Sequence, residues 1–386
     1  MDYNKIIKEY STPLFVYNIN ILKERIKYLR ENLKGNLCYA IKANSFVIRE
    51  ITEEVERIEI CSFGEYMICK NNNVPANKMV LSGVNKSYDE FNYIFENETD
   101  ILRYTIESIH QFELLKELSE KYKRKINILP RITSGNQFGI TYKELEYIIE
   151  NLNEYMTLSG IEFFSGTQKH SIKRIEKEIK MLSEICLNIK EKYSVDIKEI
   201  EYGPGLPVYY FQNEYFNEDE FLNEINIITS NYLKDKEIIF EIGRSMVASC
   251  GVYITSVVDK KENKTGKYVI LDGGINHLVY YGGSMGMMAP YYEILSKNEK
   301  EEEIVNLFGS LCTINDIILK GAKVPKLNIG DTFIFKNVGA YSVTEGINLF
   351  LSRDMPKIIL VNDGKCSLVR DKISTYKLNC PRYGGK

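Results

Sequence analysis

Short apolar segments of strand type alternate with amphipathic helical segments through the first two thirds of the chain, and this alternation constrains the fold more than any other feature. The strand-like pieces include "PLFVYN", "NLCYAIKA", "KINILPRI", "LSGIEFF", "IKEIEYG" and "EIIFEIG". One intervening helix is plain from its spacing: Ile175, Ile179, Leu182, Ile185 and Ile189 recur at helical steps while Lys and Glu fill the rest. Repeated strand-helix units imply a parallel sheet, either closed into a barrel or doubly wound. From about residue 250 the texture changes to period-two strands and turns, as in "CGVYITSVVDKKENKTGKYVILDGG" and "DTFIFKNVGAYSV". The 386 residues therefore suit a large α/β domain with a smaller β-rich companion. No internal repeat or low-complexity tract interrupts them.

Composition excludes several classes of function. Hydrophobic residues at 44% and charged residues at 27% are ordinary for a globular protein. No apolar run approaches the ~18 residues needed to span a bilayer, so a membrane partner is not expected. "MDYNKIIKEY" lacks an apolar signal region, which predicts a cytoplasmic location. The net charge is -3 and cations are interspersed with acids, leaving no basic face to follow nucleic acid. Eight cysteines without a C-x-x-C pair predict free thiols and no metal site.

Three strand ends carry chemistry. In "LCYAIKANS" an apolar strand delivers Lys42 and stops. Such a lysine either snorkels to the surface and pairs with an acid, or is kept dry and neutral so that its amine can form a Schiff base with an aldehyde cofactor. "FEIGRS" at 240 to 245 is either a surface ion pair or a ligand site, in which Gly243 allows close backbone approach, Arg244 offers donors to a phosphate and Glu241 addresses another part of the ligand. "EYGPGLP" at 201 to 207 is either a tight turn or a loop that turns backbone N–H groups toward an anion. A barrel gathers strand C-termini at one mouth, where all three would meet.

In that order the motifs resemble the fold-type III pyridoxal-phosphate (PLP) decarboxylases, which include diaminopimelate and ornithine decarboxylases, with alanine racemase more distant. The likeness runs from "TPLFVYN" at 12 to 18 to "FLSRDMP" at 350 to 356. It includes "EICSFGEY", "NQFGI", "GIEFFSGTQ", "YGPGLP" and "EIGR", then "GSLCTINDII" and "VGAYSV". It implies a PLP-binding (β/α)8 TIM-like barrel, alanine racemase-like, at about 25–250, with a β-rich domain made of 1–24 plus 251–386. By the same resemblance Lys42 forms the Schiff base, Phe164 stacks on the cofactor ring in place of a histidine, and Glu241 keeps the pyridine nitrogen protonated. Gly203, Gly205, Gly243, Arg244 and Tyr341 hold the phosphate. Cys312 and Asp316 reach the site from a partner subunit, Cys312 as proton donor, which implies a homodimer with shared sites.

Departures from the family's pattern bear on substrate. Relatives acting on free diaminopimelate or ornithine carry an acid directly after the cysteine, where this chain has Thr313. The Cys-Thr pair, "GLPVYY" and "GGINHLVYYGGSMGMMAP" look most like a subgroup serving antibiotic and siderophore pathways, whose substrates include carrier-tethered amino acids; His277 in that segment is a candidate substrate contact. The expected activity is thus α-decarboxylation of an L-amino acid or amino-acid conjugate. The alternatives are a diaminopimelate- or ornithine-type decarboxylase of primary metabolism, a racemase or epimerase, and a non-catalytic regulatory homologue. Glu241 disfavours racemisation, because racemases of this fold place an arginine there.

Overall fold

Ser62, Ser87, Ser108, Thr141 and Asn217 each accept a hydrogen bond from the backbone N–H three residues on, and each starts a helix: Phe63–Asn71, Tyr88–Asn97, Ile109–Tyr122, Tyr142–Glu150 and Glu218–Tyr232. In each case the residue three further on is Glu or Gln, and at Thr141 and Glu144 the bond is reciprocal. A cap of this kind contributes about 1 kcal/mol and fixes where a loop ends. The computed structural model describes residues 1–279, 286–296 and 301–381, and its chain divides into two units. One is Ile26–Pro207 with Phe216–Met246, and the other is Met1–Arg25, Val208–Tyr215 and Val247–Lys386.

Strand β1, Leu14–Asn18, belongs to the second unit. The first unit is built on β2 (Asn36–Ala40), β3 (Arg57–Ile60), β4 (Met79–Leu81), β5 (Arg103–Ile106), β6 (Ile126–Pro130), β7 (Met156–Leu158), β8 (Gly160–Phe164), β9 (Glu199–Gly203) and β10 (Glu237–Ile242). All pair in parallel, in the order β7-β6-β5-β4-β3-β2-β10-β9-β8. Only Ser159 separates β7 from β8, so the two act as halves of one bent strand, the first on β6 and the second on β9. A parallel bridge between Arg131 and Glu162, with Ile132 N–H donating to the Glu162 carbonyl at 2.8 Å, joins the two edges. The sheet is therefore a closed barrel with eight strand positions, the fold expected. The helix Ile172–Tyr193 buries Ile175, Ile179, Leu182, Ile185 and Ile189, as the spacing predicts, and also Glu178.

The barrel interior is charged where a barrel of this kind is usually filled by branched apolar residues. Arg57 on β3 reaches across to Glu199 and Glu201 on β9, with N···O distances of 2.9 and 3.0 Å, and Arg103 on β5 joins Glu199 at 2.6 Å. Burial alone would raise the Glu199 carboxyl, but Arg103 and Arg57 bring it down to about 2.

In the second unit β1 lies between β11 (Gly251–Asn263), antiparallel, and β12 (Lys357–Asn362), parallel. Its apolar face joins Ile6, Val252, Ile254, Ile334 and Ile359 in one core. Residues 208–215 pack on this unit too: Phe211 bridges Pro290, and Asn337 donates to the Tyr209 carbonyl at 2.7 Å. Among the described residues no helix is long and apolar enough to cross a membrane. All eight cysteines are free, and no described group of His, Cys, Asp and Glu could hold a metal ion.

Candidate active site

β2 runs straight into a 3-10 turn, Ile41–Ala43, whose apolar residues are buried, so Lys42 emerges at the strand's C-terminal end. Its neighbours come from the flanking strands, since register sets Ala40 beside Glu59 of β3 and Cys38 beside Glu241 of β10. Lys42 Nζ donates to Glu59 Oε2 at 2.9 Å and to Cys61 Sγ at 3.5 Å, and lies 3.8 Å from Glu241 Oε1. Of the two readings of this lysine, pairing with an acid is the one its surroundings show, and the amine is not held neutral. Burial disfavours the charge, but the Glu59 carboxylate, with help from Cys61 and Glu241, holds the ammonium well above its usual range. Lys42 is thus a charged lysine paired with an acid, and it stands at the barrel mouth.

The carboxyls around it are not alike. Glu59 stays below its usual range, because Lys42 and the Cys61 thiol outweigh its burial. Glu241 is pushed up to about 8, first by burial and then by the Glu59 charge, so it holds a proton at neutral pH. Glu162 is driven well up by burial, and neither of its oxygens accepts a hydrogen bond, although Arg131 Nε stands 3.6 Å away.

Beside this group the turns that follow β8, β9 and β10 meet. Gly203 closes β9, and a Cβ there would lie 2.4 Å from Phe164 Cδ2, so the missing side chain is what lets the Phe164 ring sit against the turn. Gly205 has φ +62°, with the Gly166 carbonyl 2.3 Å from where its Cβ would be, a position only glycine fills without strain. Arg244 Nε donates to Thr167 Oγ1 at 3.3 Å, which ties the end of β10 to the loop after β8. Lys42, Glu241, Phe164, Gly203, Gly205, Gly243 and Arg244 therefore all stand at C-terminal strand ends of one barrel.

The other expected residues lie in the second unit. Cys312 is exposed, and Cys312 and Thr313 border an open hollow lined by Tyr268, Phe308, Leu311 and Ile314. Tyr341 has φ 64°, a strained conformation of the kind that concentrates at functional positions. Two expectations are corrected. Asp316 does not present its carboxylate to substrate: it is 1% exposed, accepts from the N–H groups of Ile275 and Leu311 at 2.8 and 2.7 Å, and fills space left by Gly274 and Gly309. His277 is a core residue, 2% exposed, with Tyr253 OH 2.9 Å from Nδ1 and the Asp354 carbonyl 3.1 Å from Nε2. Burial lowers it to about 4, so it is neutral. Part of the Gly/Met-rich segment, residues 280–285, lies outside the described residues.

A lysine amine, buried carboxyls, an aromatic ring and a glycine turn beside an arginine, gathered at one barrel mouth, are a set that fits pyridoxal phosphate. Residues 19–248 match the family described as pyridoxal-dependent decarboxylase, pyridoxal binding domain, and the chain belongs to that family. Its cofactor is accordingly PLP and its class carboxy-lyase. The chain is 28% identical to diaminopimelate decarboxylase of Campylobacter jejuni, covering 96% of each. It is 25% identical to the L-glutamyl-(BtrI acyl-carrier protein) decarboxylase of Niallia circulans, covering 95% of this chain and 92% of that one. The crystal structure of Helicobacter pylori diaminopimelate decarboxylase complexed with L-lysine shares the fold, with a TM-score of 0.84 and 24% identity over 98% of each chain.

Proposed function

We propose that this protein removes the α-carboxyl group of an L-amino acid whose distal end is conjugated, for example to a carrier protein, in a specialised biosynthetic pathway. The observation that carries the reading is Thr313 directly after Cys312, a neutral side chain where pairing with a distal ammonium needs an acid. The Niallia relative, named for a carrier-tethered glutamyl group, supports it. A second reading, turnover of free diaminopimelate, is favoured by the somewhat greater identity to the Campylobacter enzyme.

When bound, PLP supplies an aldehyde that captures the substrate's amine and a protonated ring that takes up the electron pair left by CO2. Lys42 Nζ would hold the aldehyde carbon between turnovers. Glu59 would take the ammonium that Lys42 becomes when the substrate's amine displaces it, and the 2.9 Å pair keeps that amine in place. Glu241 would hold the ring-nitrogen proton, Phe164 would support the ring's face, and the turns at Gly203–Gly205 and Gly243–Arg244, with Tyr341, would bind the phosphate. Cys312 of a second copy would deliver a proton to the α-carbon, which makes the working form a homodimer.

The test is mass spectrometry in deuterium oxide with PLP, over diaminopimelate, lysine, ornithine, arginine, glutamate and carrier-tethered glutamate. Loss of CO2 with one deuterium gained, confined to the tethered substrate, is expected. Equal or faster turnover of free diaminopimelate would replace the first reading by the second.

A further inference from the structure

Against the glycine turn 203–205, one of the two turns that would bind the phosphate, lies a buried ionic hub. Glu178, on the buried face of the helix Ile172–Tyr193, accepts from Ser165 Oγ at 2.5 Å, Tyr202 OH at 2.6 Å, Lys169 Nζ at 2.8 Å and Arg174 Nε at 3.1 Å. Lys169 is 3% exposed and also donates from Nζ to the Gly203 carbonyl at 3.2 Å, while its N–H donates to the Gly205 carbonyl at 2.9 Å. The ammonium lies over the rings of Tyr202 and Phe164, 5.2 and 5.9 Å from their centroids. The loop it holds contains Gly166 and Gln168, both at positive φ, and Thr167, the partner of Arg244. Burying a lysine and a glutamate is costly, and an apolar pair would hold a helix against a barrel at least as well. An ion pair here calls for a reason other than stability.

We propose that Lys169 and Glu178 are positioning residues for the cofactor's phosphate. They lock the loop 165–169 onto the glycine turn 203–205, and so set the spacing of Thr167, the Gly203–Gly205 backbone and Arg244 before the ligand arrives. Preorganisation of this kind yields affinity by removing an ordering cost at the moment of binding. It rests on the assignment of these turns to the phosphate, made above.

The experiment compares PLP with pyridoxal, the same ring without the phosphate, as ligands of apoprotein, by equilibrium titration of the bound chromophore's absorbance. Wild type is expected to prefer PLP. In Lys169→Met the affinity for PLP should fall about tenfold or more while that for pyridoxal changes less than about twofold. The double variant Lys169→Met/Glu178→Gln, which leaves no unpaired buried charge, should keep the wild-type thermal midpoint and still lose the preference for PLP. An equal fall for both ligands, or an unchanged preference in both variants, would reduce the pair to a structural brace and overturn the proposal. No preference in wild type would instead overturn the phosphate assignment and the proposal with it.

Discussion

Two charged layers share the interior of one barrel and behave in opposite ways. In the lower, Glu199 is chelated by Arg57 and Arg103 with both oxygens engaged, and its carboxyl falls to about 2. In the upper, one step further along β3 and at the ends of β2, β6, β8 and β10, Glu59, Glu162 and Glu241 face Lys42 and Arg131, with Glu162 unbonded and Glu241 raised to about 8. Arg57 and Glu59 are alternate residues of β3, so neither burial nor residue type separates the layers. Glu201 is intermediate, with one oxygen on Arg57 and the other unbonded. The difference is completeness: satisfied charges stabilise a scaffold, whereas charges that do not balance without a ligand mark a site.

The sharpest way to break this contrast is at its centre. Lys42→Ala should lower decarboxylation by about 10⁴-fold or more and abolish borohydride-fixed cofactor, read by intact mass. Labelled, active variant protein would sink the role given to Lys42. In the lower layer the effect should be on folding instead. Arg57→Met leaves Glu199 and Glu201 short of a partner and should cost about 3–5 kcal/mol in urea denaturation. A cost under about 1 kcal/mol would mean that the lower layer is as loosely paired as the upper.

Glu241→Gln should reduce kcat by about 10²-fold, the scale seen when one preorganised electrostatic group is removed. The same variant tests the opposite signs of the two layers in apoprotein. Glu241, near 4.3 when unfolded and about 8 when folded, contributes stability that is fully present below pH ~4.3 and lost as pH rises toward 8. Glu199, folded at about 2, contributes stability present above ~4.3 and lost as pH falls toward 2. Urea midpoints followed against pH should therefore decline less steeply between pH ~4.3 and 8 in Glu241→Gln, the remaining decline coming from the other raised carboxyls, Glu162 and Glu201, and should keep the acid limb. An unchanged decline above pH ~4.3 would show that Glu241 does not hold the proton.

The strand-helix alternation and the cofactor motifs were legible because each depends on local order, and a parallel barrel then has no choice about where its strand ends converge. Glu59, Cys61, Arg131, Glu162 and Lys169 were not singled out. The reason is specific to the barrel: in "RIEI" and "EIEYG" charged and apolar residues alternate, which reads as a strand with its polar face in solvent. Here the apolar face packs outward against helices and the charged face fills the interior. The S-x-x-E caps after the strand ends were readable and would have placed the helix starts. Asp316 was expected at the site from the family resemblance of "GSLCTINDII" and His277 from its place in the Gly/Met-rich segment, and only long-range packing shows that their partners are backbone groups and a core tyrosine.

The upper layer should also be incomplete in a way the lower is not. Its proton donor, under the proposed mechanism, is Cys312 of another copy, whereas the Arg57–Glu199–Arg103 cluster is finished within one chain. Cys312→Ala and Lys42→Ala proteins, each nearly inactive alone, should therefore complement when mixed under conditions that let subunits exchange. Random 1:1 assortment makes about half of the dimers mixed, and each mixed dimer has one site with both residues intact, so activity should recover to about a quarter of wild type. The recovery is only a fourfold deficit from wild type, but a mechanism confined to single chains predicts none. Absence of recovery in demonstrably exchanged subunits would place Cys312 outside the partner's site, and substantial activity in Cys312→Ala alone would remove it as the proton donor.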